Sequence, residues 1–400
     1  TAVKRFPQTR RRSGGYPRIR RKPRIPREGG AEEVSIAPRG REESRLLAEV
    51  QALLCLKRVP GLGDRGIWEL VQRHGSGQAA LRAGGRQMDL WKPGGDDQLF
   101  PGGAQKLLGL CKREGIQLLT ATAPPFPPSL LELSDPPALL FLKGKEELIH
   151  RSGVAVVGAR KATESGRRLA EALGRTLART GVPVISGMAR GIDGAAHRGA
   201  LEAGGSTVAV LGSGLNVVYP RTHAPLFRRI SREGLLVSEF LPTEPALPHH
   251  FPRRNRIIAA LSRAVVVVEA GSRSGALITV DHALDLGREV LAFPGSVENP
   301  QARGTNRLLR DGASLLTHPE AIFEELPWLE EENGLLEPGG VPGAGDVPPD
   351  LQPLLLALRE EPLGLEPLAV RSGLEAGAVV AGLTALELMG HARRCPGMRF

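Results

Sequence analysis

Glycines, small hydroxyls and arginines recur in this sequence at one kind of position, the residues that follow a short apolar run. Gly158-Ala159-Arg160 end the run that begins at Val154. Ser186-Gly187-Met188-Ala189-Arg190-Gly191 follow the run that begins at Val182. Beyond Gly212-Ser213-Gly214 comes Tyr219-Pro220-Arg221. The stretch from His249 to Arg256, read as a loop, gathers Phe251, Arg253, Arg254 and Arg256, and Ser274-Gly275 close another small-residue turn. Glycine turns and helix starts offer backbone N–H groups to phosphate, and guanidinium forks bind it through two donors. The chemistry this set suits is capture of a polyanion.

Hydrolysis or proton transfer would need a poised carboxylate or histidine on the same rim. Asp193, Glu239, Glu269 and His197 are the candidates. Asp193 is expected to cap the helix after the glycine turn, and His197 to pack on that helix, so both read as structural. His249 and His250 are adjacent but have no carboxylate support for a metal. The first loop, Gly158-Ala159-Arg160-Lys161-Ala162-Thr163, lacks the GxGxxG spacing, and no GxxxxGK[ST] element is present. Neither a metal nor a cofactor is expected.

The elements that must hold these loops alternate in type. Strands are expected at Val154–Gly158, Val182–Ser186, Thr207–Leu211, Leu235–Ser238, Ala264–Glu269 and Glu289–Phe293. Helices are expected near Ser165–Arg179, Asp193–Ala203, His223–Arg232, Asn255–Leu261 and Gly275–Leu286, with Leu169, Leu173 and Leu177 a turn apart on one face. This is the α/β pattern of a Rossmann-like, doubly wound parallel sheet, whose ligands sit beyond the carboxyl ends of its strands. Ahead of it, residues 42–120 read as short helices. There Val59-Pro60-Gly61-Leu62-Gly63, between two amphipathic runs, is similar to the hairpin of a helix-hairpin-helix (SAM-like) domain. Residues 121–150 read as a proline-broken connector with an edge strand at Ala138–Leu142. After the core at 151–326, an acidic linker at 327–349 leads to a winged-helix-like module at 350–400.

The formal charge of +10 is unevenly placed. Residues 1–41 hold 13 Lys/Arg against 3 acids and have no apolar period, so they read as a disordered basic tail. Residues 150–325 carry 22 against 16, whereas 326–400 carry 5 against 11. A nucleic-acid reading therefore rests on the middle of the chain. No run approaches the ~20 apolar residues of a membrane span, and the basic N-terminus has no apolar leader core. Cys55, Cys111 and Cys395 are odd in number and far apart, which fits a reducing cytoplasm. Only six aromatic residues fall in 150–325, so phosphate capture should outweigh base stacking, with Phe251 the best stacking candidate.

The order VGAR, SGMARGIDGAAH, GGSTVAVLGSGLNVVYPR, FPRRNRIIAALSRAVVVVEAGSRSGALIT and REVLAFPGSVENPQARGTNRLL resembles the bacterial DNA-processing protein A (DprA/Smf) family across residues 150–325. The resemblance implies an extended Rossmann-like fold and a homodimeric, non-enzymatic protein. It implies binding of single-stranded DNA and loading of the RecA recombinase during natural transformation. It places Arg160 at the family's DNA-contacting arginine, and Arg221 where the family often has lysine. Arg190 keeps the positive charge of its position. The competing class is a phosphoribohydrolase of the lysine-decarboxylase-like group, which typically carries a Pro-Gly-Gly-x-Gly-Thr loop followed by Glu. Here that region reads Ala270-Gly271-Ser272-Arg273-Ser274-Gly275, with no acid.

The C-terminal module is expected to contact protein rather than read DNA sequence, because Leu365–Met389 contains Arg371 as its only Lys, Arg, Asn or Gln. The basic tail supports a separate expectation. Deleting residues 1–41 should lower non-specific affinity for nucleic acid modestly and leave any strand preference intact. Titration of the truncated chain at moderate salt checks this, and near-total loss of binding would move the main site into the tail.

Overall fold

The computed structural model describes residues 39–57, 59–84, 103–331, 348, 351–358 and 364–388. The basic tail up to residue 38, most of the acidic linker and the expected wing after residue 388 lie outside the described residues. The chain divides into two compact units, Thr1–Leu326 and Pro327–Phe400.

The first unit opens with helices α1 (Arg39–Lys57), α2 (Asp64–His74), α3 (Gly77–Gly84) and α4 (Gly103–Glu114). Strand β1 (Gln117–Thr120), helix α5 (Pro128–Leu131) and strand β2 (Leu139–Gly144) follow. The alternating core then runs β3 (Gly153–Val157), α6 (Glu164–Arg179), β4 (Val184–Ser186), α7 (Ile192–Glu202), β5 (Thr207–Val210), α8 (Ala224–Glu233) and β6 (Leu235–Ser238). It continues through α9 (His250–Leu261), β7 (Ser262–Val267), α10 (Ala276–Asp285), β8 (Glu289–Ala292), α11 (Arg303–Arg310), β9 (Ser314–Leu315) and α12 (Ile322–Glu325).

The nine strands form one sheet in the order β1-β2-β6-β5-β4-β3-β7-β8-β9. From β3 to β9 neighbouring strands are parallel, and β2 alone runs against the rest. The segment read as a proline-broken connector thus supplies β2, which is not an edge strand. It lies between β1 and β6, and its residues Leu139 to Leu142 are buried. The run from β3 to β6 grows outward on one side, and α9 then carries the chain back to β7 on the other. The reversal falls between β3 and β7, where a crevice must open at the carboxyl ends because the two following loops diverge.

Apolar alternation decides which helix covers which face. Ala155, Val157, Val208, Val210, Val265 and Val267 point to one face and meet Ile257, Ile258 and Val280 of α9 and α10. On the other face Ala209 and Leu236 meet Phe227 and Ile230 of α8, and Leu139 and Phe141 join the same cluster. That cluster runs on into the N-terminal helices through Val50, Leu53, Ile67 and Leu107. Helix α6 starts where Thr163 Oγ1 accepts from the Gly166 N–H at 3.0 Å, a side-chain cap.

Helix α9 begins at His250, five residues before the expected Asn255. Pro252 falls in its first turn, where a missing N–H costs nothing, so the proline that suggested a loop is compatible with a helix start. The second unit contains α13 (Trp328–Glu331), α14 (Gln352–Ala357), α15 (Leu365–Ser372) and α16 (Ala376–Leu388). Leu354, Leu368, Val379, Leu383 and Leu386 form its core.

Helices α6 and α7 approach so closely that a Cβ on Gly199 would strike the Glu171 carbonyl, and one on Gly174 the Ala196 carbonyl. Alanine is the better helix former by about 1 kcal/mol, but forced backbone displacement costs about 1–3 kcal/mol and prevails. Gly199→Ala should therefore lower the stability of the first unit, read as a fall in its urea midpoint with an unchanged slope.

Candidate nucleic-acid interface

The crevice between β3 and β7 is a cleft of about 660 Å³. Its wall includes Gly158 and Arg160 from the loop after β3, Phe251 from α9, and Ser274 and Gly275 from the loop before α10. Gly158 is a glycine by necessity, since a Cβ would meet Ile192 at 2.6 Å and the Glu269 carbonyl at 2.8 Å. Gly191 has φ +78°, and its Cβ would run into the Ala159 carbonyl, so it holds the Arg160 loop rather than facing a ligand. Arg160 is exposed, with its guanidinium 4.8 Å from the centroid of the Phe251 ring. Tyr219 lies 5.3 Å from the same ring and is 46% exposed. A cation and two rings thus share one patch at the cleft mouth, within reach of a cation–π contact.

Other residues chosen from the sequence divide sharply. Ser274 and Gly275 stand at the start of α10, where the Ser274 hydroxyl accepts from the Ala276 N–H at 3.3 Å and the carbonyls of Ser274 and Gly275 accept from Leu277 and Ile278. Arg190 and Arg221 are exposed but outside the cleft wall. Their two loops are joined, because His223 Nδ1 donates to the Met188 carbonyl at 3.1 Å.

Four expectations are corrected. Ser186 is buried and donates to the Val156 carbonyl at 2.6 Å, so its hydroxyl belongs to the sheet. The Gly187 N–H is engaged by Asp193 Oδ2 at 3.2 Å. Arg254 is 3% exposed and donates to the carbonyls of Gly187 and Val210. Arg256 is 2% exposed and forms a bidentate pair with Glu239, at 2.8 and 3.2 Å, and another bond to Asp135 at 2.9 Å. For the two arginines the physical reason is shared. Residues 253–256 lie on a helix packed against the sheet, and a helix cannot turn four consecutive side chains toward one ligand. Arg253 remains partly exposed, but it pairs with Asp64 and Glu239.

The carboxylates also have structural work. Asp193 is not the helix cap, a position held by Gly191. It sits in the first turn of α7 and accepts from the N–H groups of Gly187 and Ala189, at 3.2 and 3.3 Å. Burial raises its pKa, while Arg254 and the two N–H groups oppose that rise. Arg254 is itself pushed down to about 10 by burial, against the pull of Asp193, and stays charged at neutral pH. Glu269 accepts from the Thr163 N–H at 2.8 Å through one oxygen and from Asn299 Nδ2 at 3.0 Å through the other. His197 is fully buried, and burial pushes its pKa down to about 3. The Thr207 hydroxyl donates to the Val184 carbonyl, so His197 Nδ1 must be the donor to Thr207 Oγ1 at 2.7 Å.

The cleft wall holds three further cations, Lys161, Arg273 and Arg303. Lys161 and Arg273 adjoin residues chosen from the sequence and were within reach of the same reading. Arg303 arrives with α11 and carries no local signal. Among the described residues, no group of three His, Cys, Asp or Glu is placed to hold a metal ion. No helix among them is long and apolar enough to cross a membrane.

The cleft at the switch point is thus walled by glycines and four exposed cations, Arg160, Lys161, Arg273 and Arg303. Residues 117–327 match the family model described as DNA recombination-mediator protein A, and residues 341–398 match the DprA winged helix domain. The chain belongs to the DNA recombination-mediator protein A family. Protein Smf of Escherichia coli is 42% identical over 287 residues, covering 70% of this chain and 76% of that protein. The DNA processing protein DprA of Streptococcus pneumoniae is 44% identical over 200 residues, 50% of this chain and 71% of that one. The X-ray structure of the Streptococcus pneumoniae DprA aligns with a TM-score of 0.57 at 33% identity, covering 68% of this chain and 96% of that one. The match over residues 341–398 makes α14, α15 and α16 the described part of a winged helix domain.

Neighbouring arginines should therefore behave differently in this family member. Arg160→Ala should weaken oligonucleotide binding about tenfold with little change in stability, as loss of one exposed cation and ring contact implies. Arg254→Ala leaves a buried carboxylate without its partner and should cost about 3–5 kcal/mol of stability. Thermal unfolding of the two variants separates these roles, and an unstable Arg160→Ala would contradict them.

Proposed function

We propose that this chain binds single-stranded DNA along the cleft rim and acts without catalysis, as a homodimeric, cytoplasmic mediator. In this reading it protects incoming DNA and loads the RecA recombinase in natural transformation. The observation that carries the DNA reading is the Arg160 guanidinium lying over Phe251 at the mouth of a cleft. Arg160 and its neighbouring cations supply phosphate contacts, and the Phe251 and Tyr219 rings offer faces to unstacked bases. Bases in a duplex are already stacked on each other and cannot reach such rings, which favours the single strand. The mediator role draws its support from the family to which the chain belongs.

Two features weigh against the nucleotide-hydrolase reading. Residues 270–275 after β7 hold no acid, and both oxygens of Glu269, just before them, are engaged by Thr163 and Asn299. The winged helix domain is assigned to protein contact, for the reason its sequence suggests.

Labelled single- and double-stranded oligonucleotides, titrated at two salt concentrations, test the proposal. The single strand should bind at least about tenfold more tightly. With four phosphates neutralised, its log affinity should fall with log salt at a slope of about −3. Equal affinity for both forms would refute the single-strand reading. Release of free base from a nucleoside monophosphate would restore the hydrolase.

A further inference from the structure

Asp64 opens α2, directly after the Val59–Gly63 turn, and its side chain is only 4% exposed. A lone carboxylate buried there would cost several kcal/mol, so its partners carry information. Lys57 Nζ, from the end of α1, stands 3.1 Å away. The other two partners come from α9, nearly two hundred residues later. Arg253 Nη2 is in contact with Asp64 Oδ2, and Arg256 Nη2 is 3.5 Å from the same oxygen. Glu239, at the end of β6, binds Arg256 at 2.8 Å and Arg253 at 3.2 Å, and Asp135 binds Arg256 Nε at 2.9 Å. Three acids and three cations thus close one cluster, in which Asp64, Glu239 and Arg256 are buried while Arg253 and Asp135 reach its solvent edge.

That cluster grips the first two turns of α9. The remaining polar side chains of those turns are fixed elsewhere, His250 Nε2 on Glu244 at 3.3 Å, Arg254 on Gly187 and Val210, and Asn255 Nδ2 on the Gly275 carbonyl at 3.1 Å. Phe251 belongs to the same first turn and points into the cleft, where it meets Arg160 and Tyr219. Residues two apart on a helix point about 200° apart. The helix therefore presents Phe251 to the DNA cleft and Arg253 to the hairpin, and one rotation sets both.

We infer that Asp64 is a positioning residue for DNA binding: through Arg253 and Arg256 it sets the rotation of α9 that holds Phe251 over the cleft. The N-terminal helical hairpin thereby serves the DNA site without touching nucleic acid. The inference rests on the single-strand reading above. It also assigns Arg253 to the cluster rather than to phosphate.

The test uses the full chain and a labelled oligothymidylate, with wild type, Asp64→Asn, Phe251→Ala and the double variant. Folded Asp64→Asn should bind about five- to twentyfold more weakly, in the range of coupling within one network. Its dependence on salt should match wild type, because no phosphate contact is removed. In the Phe251→Ala background Asp64→Asn should change affinity by less than about twofold. A merely structural loss would act equally in both backgrounds and overturn the inference. So would unchanged binding by folded Asp64→Asn, or tighter binding from a released Arg253. Should Asp64→Asn fail to fold, Lys57→Met perturbs the same cluster from its half-open side. It should give a smaller loss that likewise vanishes with Phe251→Ala, and an undiminished loss there would overturn the inference. A wild-type chain that does not bind oligothymidylate would instead remove the single-strand reading itself.

Discussion

Arg254 is the contact on which the rest of this site depends. Its guanidinium is buried at the carboxyl ends of β4 and β5, donating to the carbonyls of Gly187 and Val210 and facing Asp193. Those carbonyls end their strands and have no helix to satisfy them, while α9 crosses close by on its way from β6 to β7. One side chain therefore supplies the missing donors and ties the crossing helix to the sheet. Asp193 answers its charge and, through the N–H groups of Gly187 and Ala189, fixes the turn that leads into α7. A buried pair of this kind tolerates the loss of neither member.

Around that tie the sheet opens at its switch point. The chain leaves β3 in one direction and returns to its other side at β7, so the loops carrying Arg160 and Ser274 part from each other. Glycine keeps the floor of the opening narrow. Gly158 admits Ile192 and the Glu269 carbonyl, and Gly191 admits the Ala159 carbonyl. Glu269 then fastens the loops on either side, through Thr163 and Asn299. The cleft is thus braced by buried polar contacts, and its exposed cations are left free of that duty.

The four polar residues at 253–256 show how a helix divides labour. Arg254 reaches the sheet, Asn255 the loop before α10, and Arg253 and Arg256 the acids of the hairpin and β6. The charge that the three arginines share says nothing about these separate directions. A period of 3.6 residues turns Arg254 and Asn255 toward separate neighbours and brings Arg253 and Arg256, three apart, to the same acids. Phe251, ahead of all four, is the aromatic residue of that stretch in the cleft wall.

Much of this fold was legible in the sequence because its signals are local. Apolar runs such as Val154–Val157 and Ala264–Val267 are buried on both faces, which parallel strands require, and leucines a turn apart in α6 mark its packed side. The glycine turns marked the carboxyl ends of the strands, and Arg160, Phe251, Ser274 and Gly275 do line the cleft. Other features were decided only by tertiary structure. Pro252 reads as a loop breaker until the first turn of α9 accommodates it, and Leu139–Leu142 reads as an edge strand until β1 covers it. An arginine on a phosphate and an arginine on a buried carboxylate look the same in one dimension. Arg254, Arg256 and Asp64 took their roles from partners far along the chain, and no local pattern encodes a contact made across the whole sheet.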